Sequence, residues 1–295
     1  MNKKINIVLA SFVISIELFS ATLPGWWFFQ KNYTTTSEVF ISENFLRIDT
    51  LQTISNHPAC FSFYQGKAGM FMFTEVSTLN LIYSGIFYAT KLKSIGISGG
   101  LIYNDTGKET IHYLQSGVEK SETINLQRDI FMISSLSKLI KDNISFSLTF
   151  KIANSMLQNE NALAFAFDFN LFFYSIIKNS NLAVSFKNIG MSTSFKEESD
   201  SLPLSLSVTY SCKILRFFEL GLNLPYVFNY RFSPSLGVAF TKDPVKVYLS
   251  YTFNKEDNNF GFGVSSNIQN FEIGYSIVPS KYLGVSHKVG LGYKF

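Results

Sequence analysis

The chain is short of charge. Asp, Glu, Lys and Arg make up 16% of its 295 residues, against about 25% in a typical soluble domain. It has two cysteines, Cys60 and Cys212, far apart and in no metal-type spacing. A cysteine-based metal site is thereby excluded. Two unpaired thiols are the simplest reading, with one disulfide left open. The three histidines, His57, His112 and His287, have no Cys, Asp or Glu at ligand spacing. No catalytic constellation stands out, so the chain reads as a non-enzyme with no cofactor and no metal. There is no basic run and no aromatic-basic interleaving. A formal charge of +4 then gives no reason to expect nucleic acid. After residue 20 no apolar run approaches the ~20 residues of a membrane-spanning helix.

What the chain has is phenylalanine, 31 residues of it, within an aromatic content of 16%. Mean hydropathy is +0.15, and it is spread over alternate positions. In NISFSLTFKIA (143–153), Ile144, Phe146, Leu148, Phe150 and Ile152 share one face, and Asn143, Ser145, Ser147, Thr149 and Lys151 the other. LSLSVTYSC (204–212), VKVYLSYTF (245–253) and LAFAFDFNLF (163–172) behave alike. Side chains of a strand alternate faces with period two. Such runs recur near 67–76, 79–90, 93–104, 124–137, 143–153, 162–174, 180–188, 203–213, 216–224, 235–241, 244–253, 259–265, 269–278 and 284–295. That is about fourteen strands, many near the ~9–11 residues that cross a bilayer when tilted.

The connections alternate too. KDN (141–143), KNSN (178–181), TKDP (241–244) and NIQN (267–270) are tight, whereas 105–123, 154–161, 189–202 and 225–234 are long. Short turns at one end and long loops at the other are the habit of an outer-membrane barrel, with both chain ends on the periplasmic side. MNKK followed by the apolar INIVLASFVISI and the small Ser20 and Ala21 predicts an export signal over residues 1–21. A soluble sandwich has the same period with apolar residues inside. Export, the excess of Phe and the many Gly, Ser and Ala on the polar face favour the inverted arrangement. The expected fold is therefore all-β: a transmembrane antiparallel barrel over 67–295 in the outer membrane of a diderm bacterium, wrapped in lipid.

Closure of the sheet explains the C-terminus, since in hydrocarbon every backbone group must be paired within the protein. The run SHKVGLGYKF places Leu291, Tyr293 and Phe295 at the fifth-last, third-last and last positions. This resembles the assembly signal of bacterial outer-membrane barrels and implies the barrel assembly machinery as a partner.

Residues 22–66 do not alternate, and here the sequence resembles the FadL-like and PorV-type exported barrels. Those carry a stretch reading roughly D-D-A-S-A-x-x-x-N-P-A-G-L before the first strand. Asp49 aligns with the first Asp, and Pro58 and Ala59 match the Pro-Ala pair. His57 stands for the family's Asn and Cys60 for its Gly. KNIGM (187–191) is similar to the family's N-x-G element, and LPLSLSVTY (202–210) to its L-P followed by a strand. The resemblance implies that 22–66 forms a hatch inside the barrel, with Asp49, Asn56, His57, Pro58, Ala59 and Cys60 as ligand or hatch residues.

It also implies passage of hydrophobic small molecules, such as fatty acids, across the outer membrane. A docking barrel for surface-protein export and a general porin are the alternatives. The charged residues placed on the lumen face are Lys151, Asp168, Lys187, Glu219, Lys246, Glu272 and Lys288. Lining and bracing the interior through ion pairs is their expected role.

Overall fold

The computed structural model describes residues 44–48, 56–64, 66–76, 81–105, 107–115, 118–125, 127–157, 160–193, 201–228, 231–253, 259–280 and 284–295. The export signal (1–21), Asp49 and most of the 22–66 segment lie outside them. A short 3-10 helix, Pro58–Phe63, precedes the strands. The strands are β1 (Lys67–Val76), β2 (Leu81–Leu92), β3 (Ile95–Asp105), β4 (Lys108–Gln115), β5 (Val118–Asn125), β6 (Gln127–Lys141), β7 (Ile144–Leu157), β8 (Glu160–Phe173) and β9 (Ser180–Ser192). They continue with β10 (Ser205–Leu215), β11 (Phe218–Val227), β12 (Arg231–Phe232), β13 (Ser235–Lys242), β14 (Val245–Thr252), β15 (Asn259–Ile268), β16 (Phe271–Ser280) and β17 (Gly284–Lys294).

Each wall strand pairs antiparallel with its neighbours. β17 pairs back onto β1, Gly69 facing Tyr293 and Phe71 facing Leu291. The β10–β11 pairing joins the two ends of the remaining sheet. β12 is a two-residue annex on β11, and β4 and β5 form a separate hairpin. Fourteen strands thus close into a barrel with no free edge, as a sheet in hydrocarbon must.

Burial fixes which face is which. On β7 and β8, Ser145, Ser147, Thr149, Ala164, Ala166, Asp168 and Asn170 are buried, while Leu163, Phe165, Phe167 and Phe169 are each about 40% exposed. The apolar face points outward on every wall strand whose side chains are described, which suits a hydrocarbon surround. Aromatics gather on the outer face at one end. Tyr88 meets Phe295, Phe295 meets Tyr293, and Tyr293 meets Phe271, with ring centroids 4.9–6.4 Å apart. They form the kind of interfacial girdle that membrane barrels carry.

That same end holds the start of β1, the C-terminus and the tight turns: two residues each at 93–94, 142–143, 216–217, 243–244 and 269–270, and six at 174–179. It is called the turn end below, and the opposite one the loop end. Two connections differ from expectation. The stretch 105–123 holds the β4–β5 hairpin, whose mixed polarity gives no apolar face to read. The stretch 154–161 is mostly strand, because Asn154, Ser155, Glu160 and Asn161 continue the in-out alternation and leave two residues, 158–159, between strands.

Candidate functional site: the barrel interior

The described N-terminal residues sit against the inner wall, Pro58–Phe63 near the turn end and Asn44 further up, beside the start of β13. Ser145 Oγ donates to Ala59 O at 2.6 Å. Leu46 N donates to Ser211 Oγ at 3.2 Å, and Asn181 Nδ2 donates to Leu46 O at 2.7 Å. Ser235 Oγ donates to Asn44 Oδ1 at 2.6 Å. These bonds reach β7, β9, β10 and β13, so the segment spans the interior.

The wall is shaped to receive it. A Cβ at Gly221 would lie 2.0 Å from Asn44 O, one at Gly237 2.8 Å from the Phe45 ring, and one at Gly96 2.8 Å from the Phe61 ring. Arg47 locks the segment further. Its guanidinium is 2.7 Å from Glu219 Oε2, both side chains being buried, and lies over the rings of Phe45 and Tyr248.

Above this layer the interior has two textures. One is apolar. Phe61 and Tyr64 of the segment join Ala68, Ala89, Phe87, Ile102, Phe131, Ile133, Ala153, Ala162, Ala164, Ala166 and Leu202 in one contiguous buried cluster. It starts at the turn end on β1 and β2 and climbs across β3 and β6 to the loop end of β7 and β8. The other texture is polar. Asp129 accepts from Asn104 Nδ2 at 2.6 Å, from Gln127 Nε2 at 3.0 Å and from Ser155 Oγ. Lys151 Nζ lies 2.6 Å from Asp168 Oδ2 and 2.8 Å from Asn188 Oδ1. These groups are hydrogen-bonded in the wall, as buried polar groups need to be.

The sequence-derived residues fall as follows. Asn56, His57, Pro58, Ala59 and Cys60 are all buried, His57 capping the 3-10 helix with Cys60 N donating to its carbonyl at 2.9 Å. Lys151, Asp168, Glu219, Lys246 and Glu272 are buried on the inner face, and Lys187 and Lys288 are half-buried there. Glu272 is 3.8 Å from Lys294. The set is not one constellation: Lys151 with Asp168, Glu219 with Arg47 and Glu272 with Lys294 form separate pairs on different strands. Leu291, Tyr293 and Phe295 share the outer face of β17. His287 lies on that face too, Nδ1 2.6 Å from Tyr275 Oη. Both cysteines are free, Cys60 within the interior and Cys212 half-buried on the outer face of β10.

Sequence reasoning missed Arg47 and Asp129, and marked Asn188 and Leu202 only through the N-x-G and L-P elements. Arg47 lies outside any alternating run, and Asp129 lies in the expected strand 124–137 without being singled out.

No protein-family model matches the chain, and no curated protein matches its sequence. Solved structures do match in shape. The Ralstonia pickettii toluene transporter TbuX gives a TM-score of 0.65 at 9% identity, over 90% of this chain and 100% of that one. The Pseudomonas putida toluene transporter TodX gives 0.59 at 9% identity, over 93% and 97%. A second TodX structure gives 0.58 at 10% identity, over 83% and 94%. The fold is that of the toluene-transporter barrels. The fold implied by the sequence resemblance is therefore met, at an identity where likeness speaks of fold alone.

Proposed function

We propose that this chain is an outer-membrane channel for apolar small molecules, with monoaromatic hydrocarbons and fatty acids as the classes to test. The observation that carries the reading is the continuous apolar cluster from Phe61 and Tyr64 to Ala164 and Leu202. A water-filled pore for polar solutes has no use for it. A ligand that parts these packed side chains gains about 25 cal/mol for each Å² of apolar surface it takes out of water. The buried N-terminal residues across the turn end weigh against an open aqueous path and support the hatch role for 22–66. Two solved barrels of the same fold are described as toluene transporters. Under this reading the turn end, with both ends of the wall, faces the periplasm, and Leu291, Tyr293 and Phe295 serve the assembly machinery. Phe295→Asp should then lower the outer-membrane level and leave protease-sensitive chain in the periplasm.

Purified protein in liposomes tests the main reading. Labelled toluene or a long-chain fatty acid should enter faster than in protein-free vesicles, while sugars should produce no osmotic swelling. Rapid swelling in sugars would replace the reading with a porin. No uptake of either kind, together with a stably co-purifying protein, would replace it with a docking barrel.

A further inference from the structure

Two short stretches, Asn188-Ile189-Gly190 and Leu202-Pro203, are separated in sequence yet meet on the inner wall. Asn188 lies in a bulge. Phe167 pairs with Ile189 and Phe169 with Phe186, so Lys187 and Asn188 together oppose Asp168. Asn188 has φ 65°, the left-handed region that Asn tolerates better than most residues. Three of its polar groups are used from there. Its backbone N donates to Asp168 Oδ1 at 2.8 Å, its Oδ1 accepts from Lys151 Nζ at 2.8 Å, and its Nδ2 donates to Pro203 O at 2.9 Å. Gly190 lets β9 settle back onto β8 after the bulge, since a Cβ there would lie 1.8 Å from Phe165 O.

The tether to Pro203 has a consequence for its neighbour. Leu202 is buried in the apolar cluster at the loop end. Leu204 N donating to Leu202 O at 2.8 Å and Phe228 N donating to Leu204 O at 3.0 Å hold the same turn. On the nearby wall β8 presents methyl groups, Ala162, Ala164 and Ala166, and β7 presents Ala153 between Lys151 and Ser155. Leu202 thus adds apolar bulk where β8 itself leaves room, in the cluster that Phe131 of β6 also joins.

We propose that Leu202 sets the width of the apolar route at the loop end, and that Asn188 is the positioning residue that holds it there. The proposal rests on the reading of the cluster as a ligand route. Lys151 and Asp168 anchor the arrangement. A buried ion pair is tolerable when its remaining donors and acceptors are satisfied, and Asn188 satisfies both partners at once. Lys151 is spent on Asp168 and Asn188, so it does not serve as the counter-charge for an anionic ligand. The two sequence stretches are one device: Asn188 supplies the reach, Gly190 the fit of the strand, Pro203 the handle and Leu202 the obstruction.

Two readouts separate this proposal from the channel reading. The first uses Ala164→Cys in protein freed of its own thiols by Cys60→Ala and Cys212→Ala, purified in detergent, with a water-soluble maleimide. Labelling should be slow with Leu202 in place, at least about tenfold faster with Leu202→Ala or Asn188→Gly, and slower with Leu202→Trp. Asn188→Gly keeps the left-handed backbone and removes only the side-chain bonds. The second is the ratio of naphthalene to toluene uptake in liposomes. It should rise in Leu202→Ala and Asn188→Gly and fall in Leu202→Trp, which a merely structural role for Asn188 would not produce. Unchanged labelling in all variants overturns the proposal, whether or not toluene passes. Labelling that shifts as expected while no variant passes any apolar solute overturns the channel reading and leaves Leu202 as the constriction.

Discussion

From β6 to β9 the strands run 15, 14, 14 and 13 residues, and from β13 to β15 they run 8, 8 and 10. At about 3.4 Å per residue, the two walls differ by roughly 18 Å measured along a strand. Their inner faces differ as well. The long wall brings its own bulk, Phe131 and Ile133, and its own ion pair, Lys151 with Asp168. The short wall is hollowed, with Gly237, Gly261 and Gly263 facing inward. Asn44 and Phe45 fill the space that Gly221 on β11 and Gly237 leave open. One side supplies matter and the other supplies room: Asn44 and Phe45 fill the short side, while Pro58–Phe63 packs against the long one.

The two buried ion pairs give the sharpest contrast. Removing one partner of a buried pair costs about 3–5 kcal/mol, because the other charge is left uncompensated. Glu219→Gln removes the charge that meets Arg47, which the segment carries, so the segment should come loose while the barrel stays folded. Trypsin would then cut the N-terminal region, at Arg47 among other places, and leave a core that still shifts on a gel when heated. Asp168→Asn strands Lys151 inside the long wall, so the whole barrel should lose urea resistance. Equal loss of barrel stability in both variants would break the comparison.

Bulk and room can be tested the same way. Phe131→Ala empties a packed site on the long wall and should cost about 3–5 kcal/mol. Gly237→Val overfills the short wall against Phe45 and should cost about 1–3 kcal/mol, again read as segment release. A neutral Gly237→Val would mean that the segment does not need the hollow. On the outer face the halves should agree. Arg at Phe167 on the long wall or at Leu249 on the short one should each cost about 2–4 kcal/mol if both lie at the bilayer midplane. A much cheaper Leu249→Arg would show that the short wall thins the bilayer around it.

The wall was readable from sequence because its signal is local and repeated. Ile144 to Ile152 against Ser145 to Lys151 declares a strand without reference to anything else, and fourteen such runs account for the closed sheet. The ends of strands were less readable. Ser155 and Glu160 look like loop residues until Ser155 is seen bonded to Asp129. The interior was the least readable part. Arg47 finds Glu219, 172 positions further along the chain, and Asn188 needs both the bulge and the loop that returns through Pro203. Alternation says which way a side chain points, not which other inward side chain it meets.

The smallest expected effect concerns Cys60, which is fully buried among Leu46, Ala59, Phe172 and Ala183. Burial pushes its thiol well above the ordinary value, and a backbone hydrogen bond pulls it part of the way back. Because the folded value is raised, the contribution to stability is complete below the ordinary thiol value. It is lost as pH rises from there through the raised folded value. Tyr64 is also pushed up, first by burial and then by the charge of Glu272, so it stays protonated through the start of that window. Seating of the segment should therefore weaken above about pH 8.5, by less than about 1 kcal/mol at pH 9. The measurement is tryptic cleavage of the N-terminal region between pH 7 and pH 9.5, compared with Cys60→Ala, against a protein with no N-terminal segment to correct for the protease's own pH profile. Cleavage of the parent should climb above pH 8.5 while that of Cys60→Ala stays level. Parallel curves would mean that ionisation of Cys60 does not loosen the segment, and would leave its anchorage to Arg47 and to the hydrogen bonds with Ser145, Asn181, Ser211 and Ser235.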